Sequence, residues 1–96
     1  MATNLRSGFC IYLPTICQGP VPCVSDENDE YIVFETELEA QKEIADFMMT
    51  RLQEFLDGER DFEDAITVEE YVVPVTVNPD RTITDIHGRR FGLKVN

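Results

Sequence analysis

The chain has 96 residues, 19 acidic and 8 basic, giving a net charge of −11 and a pI of about 4.2. That length allows one domain with a buried core, residues 1–96, and 43% hydrophobic content excludes a disordered acidic tail. No run reaches the ~18 apolar residues of a membrane-spanning helix, and the charge excludes direct binding of nucleic acid or an anionic membrane by the domain as a whole.

The charge is concentrated. Residues 1–25 carry a net +1, residues 26–70 a net −14, and residues 71–96 a net +2. At the start, Pro14 ends an apolar stretch of only six residues. That is too short for a signal-peptide core. With three cysteines, an odd number, a reducing cytoplasm is expected.

Gly8 to Leu13 predicts a strand, with Phe9, Cys10, Ile11 and Tyr12 favouring extended backbone. Residues 14–22, with three prolines and a glycine, predict a loop. Asp26 to Glu30 forms an acidic turn, and Tyr31 to Phe34 a second strand. Thr36 followed by Glu39 is a capping-box pattern, and Gly58 stands where a left-handed C-terminal cap belongs. Between them Leu38, Ala45, Met48, Leu52, Phe55 and Leu56, flanked by Ile44 and Met49, recur at helical spacing. The helix is placed at about 36–57 and is roughly 30 Å long.

Residues 59–66 connect onward with room for one helical turn. Val68 to Val77 predicts a third strand, Tyr71, Val73, Val75 and Val77 sharing one face. Pro74 in its middle suggests an edge strand or a bulge. Asn78 to Arg81 is a turn, Thr82 to Ile86 a fourth strand, and Phe91 to Val95 a short fifth. The simplest solution is an α+β two-layer domain: an antiparallel sheet of four to five strands, in the order β-β-α-β-β, packed against one long helix.

Cys10, Cys17 and Cys23 have spacings that match no zinc site, so Cys10 is expected in the core and Cys17 and Cys23 packed under the proline loop. Phe34, Phe47, Phe55, Phe62, Tyr71 and Phe91 fit core packing, and Arg89 and Arg90 are expected to pair with acids of the same domain. No catalytic pair, calcium loop, phosphate-binding glycine loop, metal site or cofactor site is found, and the chain is expected not to be an enzyme.

The acidic helix carries the functional expectation. Glu39, Glu43 and Asp46, followed by Thr50, Gln53/Glu54 and Asp57, line one edge at successive steps of three or four residues, about 5–6 Å apart. That spacing is similar to the phosphates of a DNA strand. Asp29 and Glu30 extend the surface on one side, and Glu59, Asp61, Glu63 and Asp64 on the other. Glu35/Glu39 and Glu39/Glu43 are like-charge neighbours four apart, where a solvated face would alternate Glu with Lys. Glu54 and Asp57 sit where the helix dipole favours cations. Selection for stability alone would have placed lysines there.

The runs Val33-Phe34-Glu35-Thr36 into Glu39-Ala40-Gln41, Tyr71-Val72-Val73-Pro74-Val75 and Asp85-Ile86-His87-Gly88 resemble small acidic proteins of bacterial phages and mobile elements, among them the anti-CRISPR inhibitors. The resemblance is of general character over residues 31–92, and Arg81 stands where an Asn-Pro-Asp-Gly turn would have glycine. It implies a protein that acts by binding, several such inhibitors being DNA mimics. The expected partner is the basic nucleic-acid-binding groove of a complex, a type I CRISPR effector first, in the cytoplasm of a bacterial host. The chain would be a monomer or homodimer. The alternatives are an adaptor using its sheet face or proline-rich loop, and an acidic homodimeric phage accessory protein.

Overall fold

The computed structural model describes residues 6–92. Its spine is a pair of antiparallel strands, β1 (Arg6–Leu13) and β3 (Tyr71–Val77), in register from Arg6 opposite Val77 to Tyr12 opposite Tyr71. A two-residue strand, β2 (Val21–Pro22), flanks β1 on one side. On the other side follow β4 (Ile83–Asp85) and the two-residue β5 (Arg90–Phe91), giving the order β2-β1-β3-β4-β5. Alternation along the strands sends Cys10, Tyr12, Val73, Val75 and Ile83 to one side, where they form the core with Tyr31, Val33, Val77 and Phe91 around them.

The expected two-layer domain, a sheet packed against one long helix, is not what forms. The sheet curls into a nearly closed barrel and fills its own concave side. Tyr12 of β1 meets Phe91 of β5 edge-on, ring centres 5.9 Å apart, although three strand boundaries separate them. Tyr31 packs edge-on against the same ring at 6.5 Å. Arg89, just before β5, donates to the carbonyls of Gln18 (2.8 Å) and Pro20 in the loop before β2, drawing the two sheet edges together. The pairing with carboxylates expected for Arg89 is therefore replaced by backbone carbonyls, whereas Arg90 does lie 3.8 Å from Asp80. The physical reason for the curl is the aromatic content of the inner face: Tyr12, Tyr31 and Phe91 fill a closed interior that a flat sheet would leave exposed.

Two strand assignments change with it. Residues 31–34 are not a full strand; they form single bridges, Phe34 with Phe9 of β1 and Tyr31 with Ser25, which lies outside the sheet. This segment crosses β1 at Gly8, where a Cβ would come within 2.9 Å of the Phe34 carbonyl oxygen. The second strand lies instead inside the proline loop, and Pro22 is tolerated because β2 is an edge. Pro74, by contrast, is in a central strand. Its partner Phe9 directs both backbone groups away, to Phe34 (2.9 and 2.7 Å), and the β4 ladder begins only at Val75. The missing N–H therefore leaves no ladder bond unmade. The turn at residues 78–81 closes with Arg81 N–H donating to the Asn78 carbonyl, and Arg81 adopts φ 74°, the left-handed position that glycine would hold more easily. Continuation of the last strand to Val95 lies outside the described residues.

The long helix α1 spans Glu37–Leu56. Thr36 caps it, its Oγ1 accepting from Glu39 N–H at 3.1 Å. At the other end Glu59 N–H reaches the Glu54 carbonyl (2.8 Å) and Gly58 N–H the Phe55 carbonyl (3.0 Å), with Gly58 at φ 80°. This is the Schellman arrangement. The short α2 (Phe62–Ile66) packs back on α1, with Phe62 and Phe55 ring centres 5.2 Å apart.

α1 rests on β1 and β3 through a narrow line: Ala40 is fully buried, and Ile44, Phe47 and Arg51 are half-buried. The rest of its apolar set faces solvent. Leu38, Met49 and Leu56 are 58%, 66% and 73% exposed, and Leu52, Phe55, Phe62 and Tyr71 are exposed as well. Phe55, Phe62 and Tyr71 thus leave the expected core. The molecule is correspondingly long, 56 × 28 × 25 Å, with a radius of gyration of 15.2 Å against about 12–13 Å for a compact chain of this length.

Candidate functional site: the acidic edge of the long helix

The expected acidic residues separate into three groups. Glu39, Asp46 and Asp57 are exposed along one edge of α1 and of its C-terminal cap. Glu43 and Glu54 belong to the same row but are half-buried, Glu54 against Arg60. This follows from the helix angle: 43 and 54 lie within one or two positions of the contact line through Ala40, Phe47 and Arg51.

Past Gly58, Glu59, Asp61, Glu63 and Asp64 are all exposed around the start of α2. They are not an uninterrupted patch of negative charge. Arg60 pairs with Glu54 at 2.8 Å and with Asp64 at 2.6 Å, stitching the end of α1 to α2. Those two carboxylates are partly neutralised.

Asp29 and Glu30 belong elsewhere. Asp26 organises their turn, its Oδ1 accepting from Asn28 and Glu30 N–H at 2.8 and 3.1 Å, with Asp29 at φ 63°. Glu30 then pairs with Arg81 at 2.9 Å, which ties this turn to the β3–β4 hairpin and not to the helix. The edge that remains open is Glu39, Asp46 and Asp57, continued by Glu59, Asp61 and Glu63.

Under the helix lies a feature the sequence did not mark. Arg51 pairs with Glu70 at 2.8 Å, and both side chains are largely buried. Burial by itself pushes the Glu70 carboxyl up, but the hydrogen bond and charge of Arg51, with backbone donors, outweigh it and hold it below the usual carboxylate range. One of the two cations on the exposed length of charge is thereby consumed inside the fold, leaving Lys42 as the other base of α1.

A second unmarked feature is Asp85, only 6% exposed. Its Oδ1 accepts from His87 and Arg89 N–H (2.9 and 3.0 Å), and its Oδ2 accepts from the Tyr12 hydroxyl (3.2 Å). Burial first, and the carboxylate next, raise the Tyr12 phenol and keep it protonated. The Asp85-Ile86-His87-Gly88 run is thus a turn fastened to the core. Beside it is a hollow of about 170 Å³ lined by Tyr12, Pro20, Tyr71, Asp85 and His87, smaller than the ~300 Å³ at which small-molecule sites begin.

The cysteines are free thiols. Cys10 is buried as expected, and burial with the nearby Cys23 pushes its thiol up to about 12, which keeps it from acting as a nucleophile near neutral pH. Cys17 and Cys23 are exposed and not packed under the proline loop. The loop is held to Arg89 through the carbonyls of Gln18 and Pro20. Among the described residues no group of three or more His, Cys, Asp or Glu is arranged to hold a metal ion, and no helix is long and apolar enough to cross a membrane.

No protein-family model, curated protein or solved structure matches the chain.

Proposed function

We propose that the protein is a non-enzymatic inhibitor that acts by binding, a DNA mimic of the anti-CRISPR kind working in the cytoplasm of a bacterial host. Its acidic helix edge would occupy a basic nucleic-acid-binding groove, with a type I CRISPR effector complex as the first candidate. The observation that supports this reading is the exposed row Glu39, Asp46 and Asp57, continued by Glu59, on one edge of α1 and its C-terminal cap. A single helix edge carrying exposed carboxylates is a narrow acidic ridge, a shape that suits a groove better than a flat acidic patch does. The row is also placed against local helix preference, with no base in the last turn of α1.

The test is competition with DNA for the purified effector complex, using Glu39→Lys with Asp46→Lys. Both side chains are exposed, so the fold is preserved and circular dichroism stays unchanged. The natural chain displaces DNA, and its affinity falls steeply as salt rises. The double reversal loses roughly 100-fold in that affinity, the scale of two close charge pairs. Undiminished competition by the variant would remove the acidic edge from the interface, and failure of the natural chain to displace DNA would end the proposal.

A further inference from the structure

The outward side of α1 carries a second pattern. Leu38, Lys42, Ala45, Met49, Leu52 and Leu56 follow one another at steps of four, three, four, three and four residues. That is the two-position heptad spacing of a helix–helix seam, narrower than the stripe a helix uses to sit on a sheet. All six residues are exposed. The sheet-facing residues Ala40 and Phe47 fall at the heptad position directly opposite this seam, so the sheet lies behind the helix, and α2 packs beside the seam's C-terminal end through Phe62 on Phe55.

We propose that this seam is a self-association surface, pairing antiparallel with the same seam of a second copy of the chain. Self-complementarity is the argument for a second copy as the occupant. In the antiparallel register that sets Leu38 against Leu56 of the other copy, Ala45 meets Met49, small against large, and Lys42 meets Leu52. Each contact occurs twice, as a two-fold interface requires. Parallel in-register pairing would place Lys42 on Lys42, whereas the antiparallel register lets the Lys42 stem lie along the seam with its ammonium in water. Leu38, Met49, Leu52 and Leu56 of the seam leave on the order of 400 Å² of apolar residue surface in solvent, and Phe55 and Phe62 beside its C-terminal end add about 200 Å², against the ~800 Å² each partner gives to a standard interface.

The charges predict an unusual sign. Glu39 and Asp46 flank the seam on one side, and in the antiparallel pair the two acidic rows come to the same side of the dimer. Like charges oppose association, so added salt strengthens the dimer, while it weakens docking on a basic groove. The two interactions are therefore separable, and self-association does not rest on the identity of any other partner.

The test is sedimentation of the full chain at about 100 µM, from about 0.05 to 0.5 M salt. A dimer is expected, tightening as salt rises. Met49→Asn with Leu56→Asn, both exposed in the monomer, weakens it roughly 100-fold without changing the circular dichroism, and Lys42→Leu tightens it roughly tenfold. A chain that stays monomeric at the highest salt, or variants that leave the dimer unchanged, would overturn the proposal. Orientation is read with a nitroxide on Glu37→Cys in a Cys17→Ser, Cys23→Ser background. The two labels lie about 30 Å apart in the antiparallel pair, and a distance near 10–15 Å, the lateral spacing of parallel helices, overturns it.

Discussion

The curled sheet and the long helix are built on opposite terms. In the sheet, side chains from β1, β3, β4 and β5 converge on one enclosed interior, and Tyr12 at its centre is 1% exposed, bonded through its hydroxyl to Asp85 and packed on Phe91. In α1, one narrow line of residues touches the domain while a full row of leucine and methionine faces water. The difference teaches that a high apolar content does not by itself make a core. The sheet's apolar residues have partners within the chain, and those of the helix do not.

Two substitutions probe that contrast, and the largest effect is expected in the sheet. Tyr12→Ala removes a fully buried ring and leaves Asp85 with an unmet carboxylate oxygen, so it should cost about 4 kcal/mol in urea unfolding. Leu56→Ala, on the outer side of α1 and 73% exposed, should change monomer stability by less than about 0.5 kcal/mol. A cost for Leu56→Ala comparable to that of Tyr12→Ala would mean that the helix face is packed in solution.

The junction between the two regions comes next. Arg51→Met strands the largely buried Glu70 carboxylate and should cost about 1–3 kcal/mol, between the values for exposed and fully buried pairs. Because the folded Glu70 carboxyl is lowered, its contribution is complete above the unfolded carboxylate value of about 4.3 and is lost as pH falls through the folded value. Acid titration of the natural chain against Glu70→Gln should show a stability gap at neutral pH that closes below roughly pH 4. A gap that widens on acidification would contradict the pairing.

A smaller effect than at the junction is expected at the end of the helix. Gly58 holds φ 80° and a Cβ there would meet nothing within 4 Å, so Gly58→Ala costs only backbone strain, about 1 kcal/mol, with no steric component. Calorimetry at low protein concentration reads it as a shift of a few degrees in Tm. No shift would show that the Schellman cap is not maintained in solution.

Several elements were legible because their causes are local. Thr36, Gly58 and the three-to-four-residue apolar spacing specify where α1 starts, stops and repeats, and alternation in Tyr71–Val77 specifies which face of β3 is inward. Pro74 misled because its consequence depends on where its neighbour's backbone groups point, and Phe9 sends them to Phe34. Residues 31–34 misled because β propensity does not reveal whether a ladder partner is available. The acidic row was visible as spacing, but Arg60 neutralising Glu54 and Asp64, and Arg81 holding Glu30, are meetings between distant segments.

By itself the sequence determined the concentrated negative charge, the long capped helix and the run of carboxylates along it, since each follows from composition or from residues within one helical turn of each other. Only the tertiary structure decided that the sheet closes on its own aromatic interior. It also decided that α1 is seated on β1 and β3 only along the narrow line through Ala40. The reason is geometric: the curled sheet fills its inner side with its own side chains and takes one edge of the helix on its outer side, so the side of the helix opposite that line is left free for another molecule.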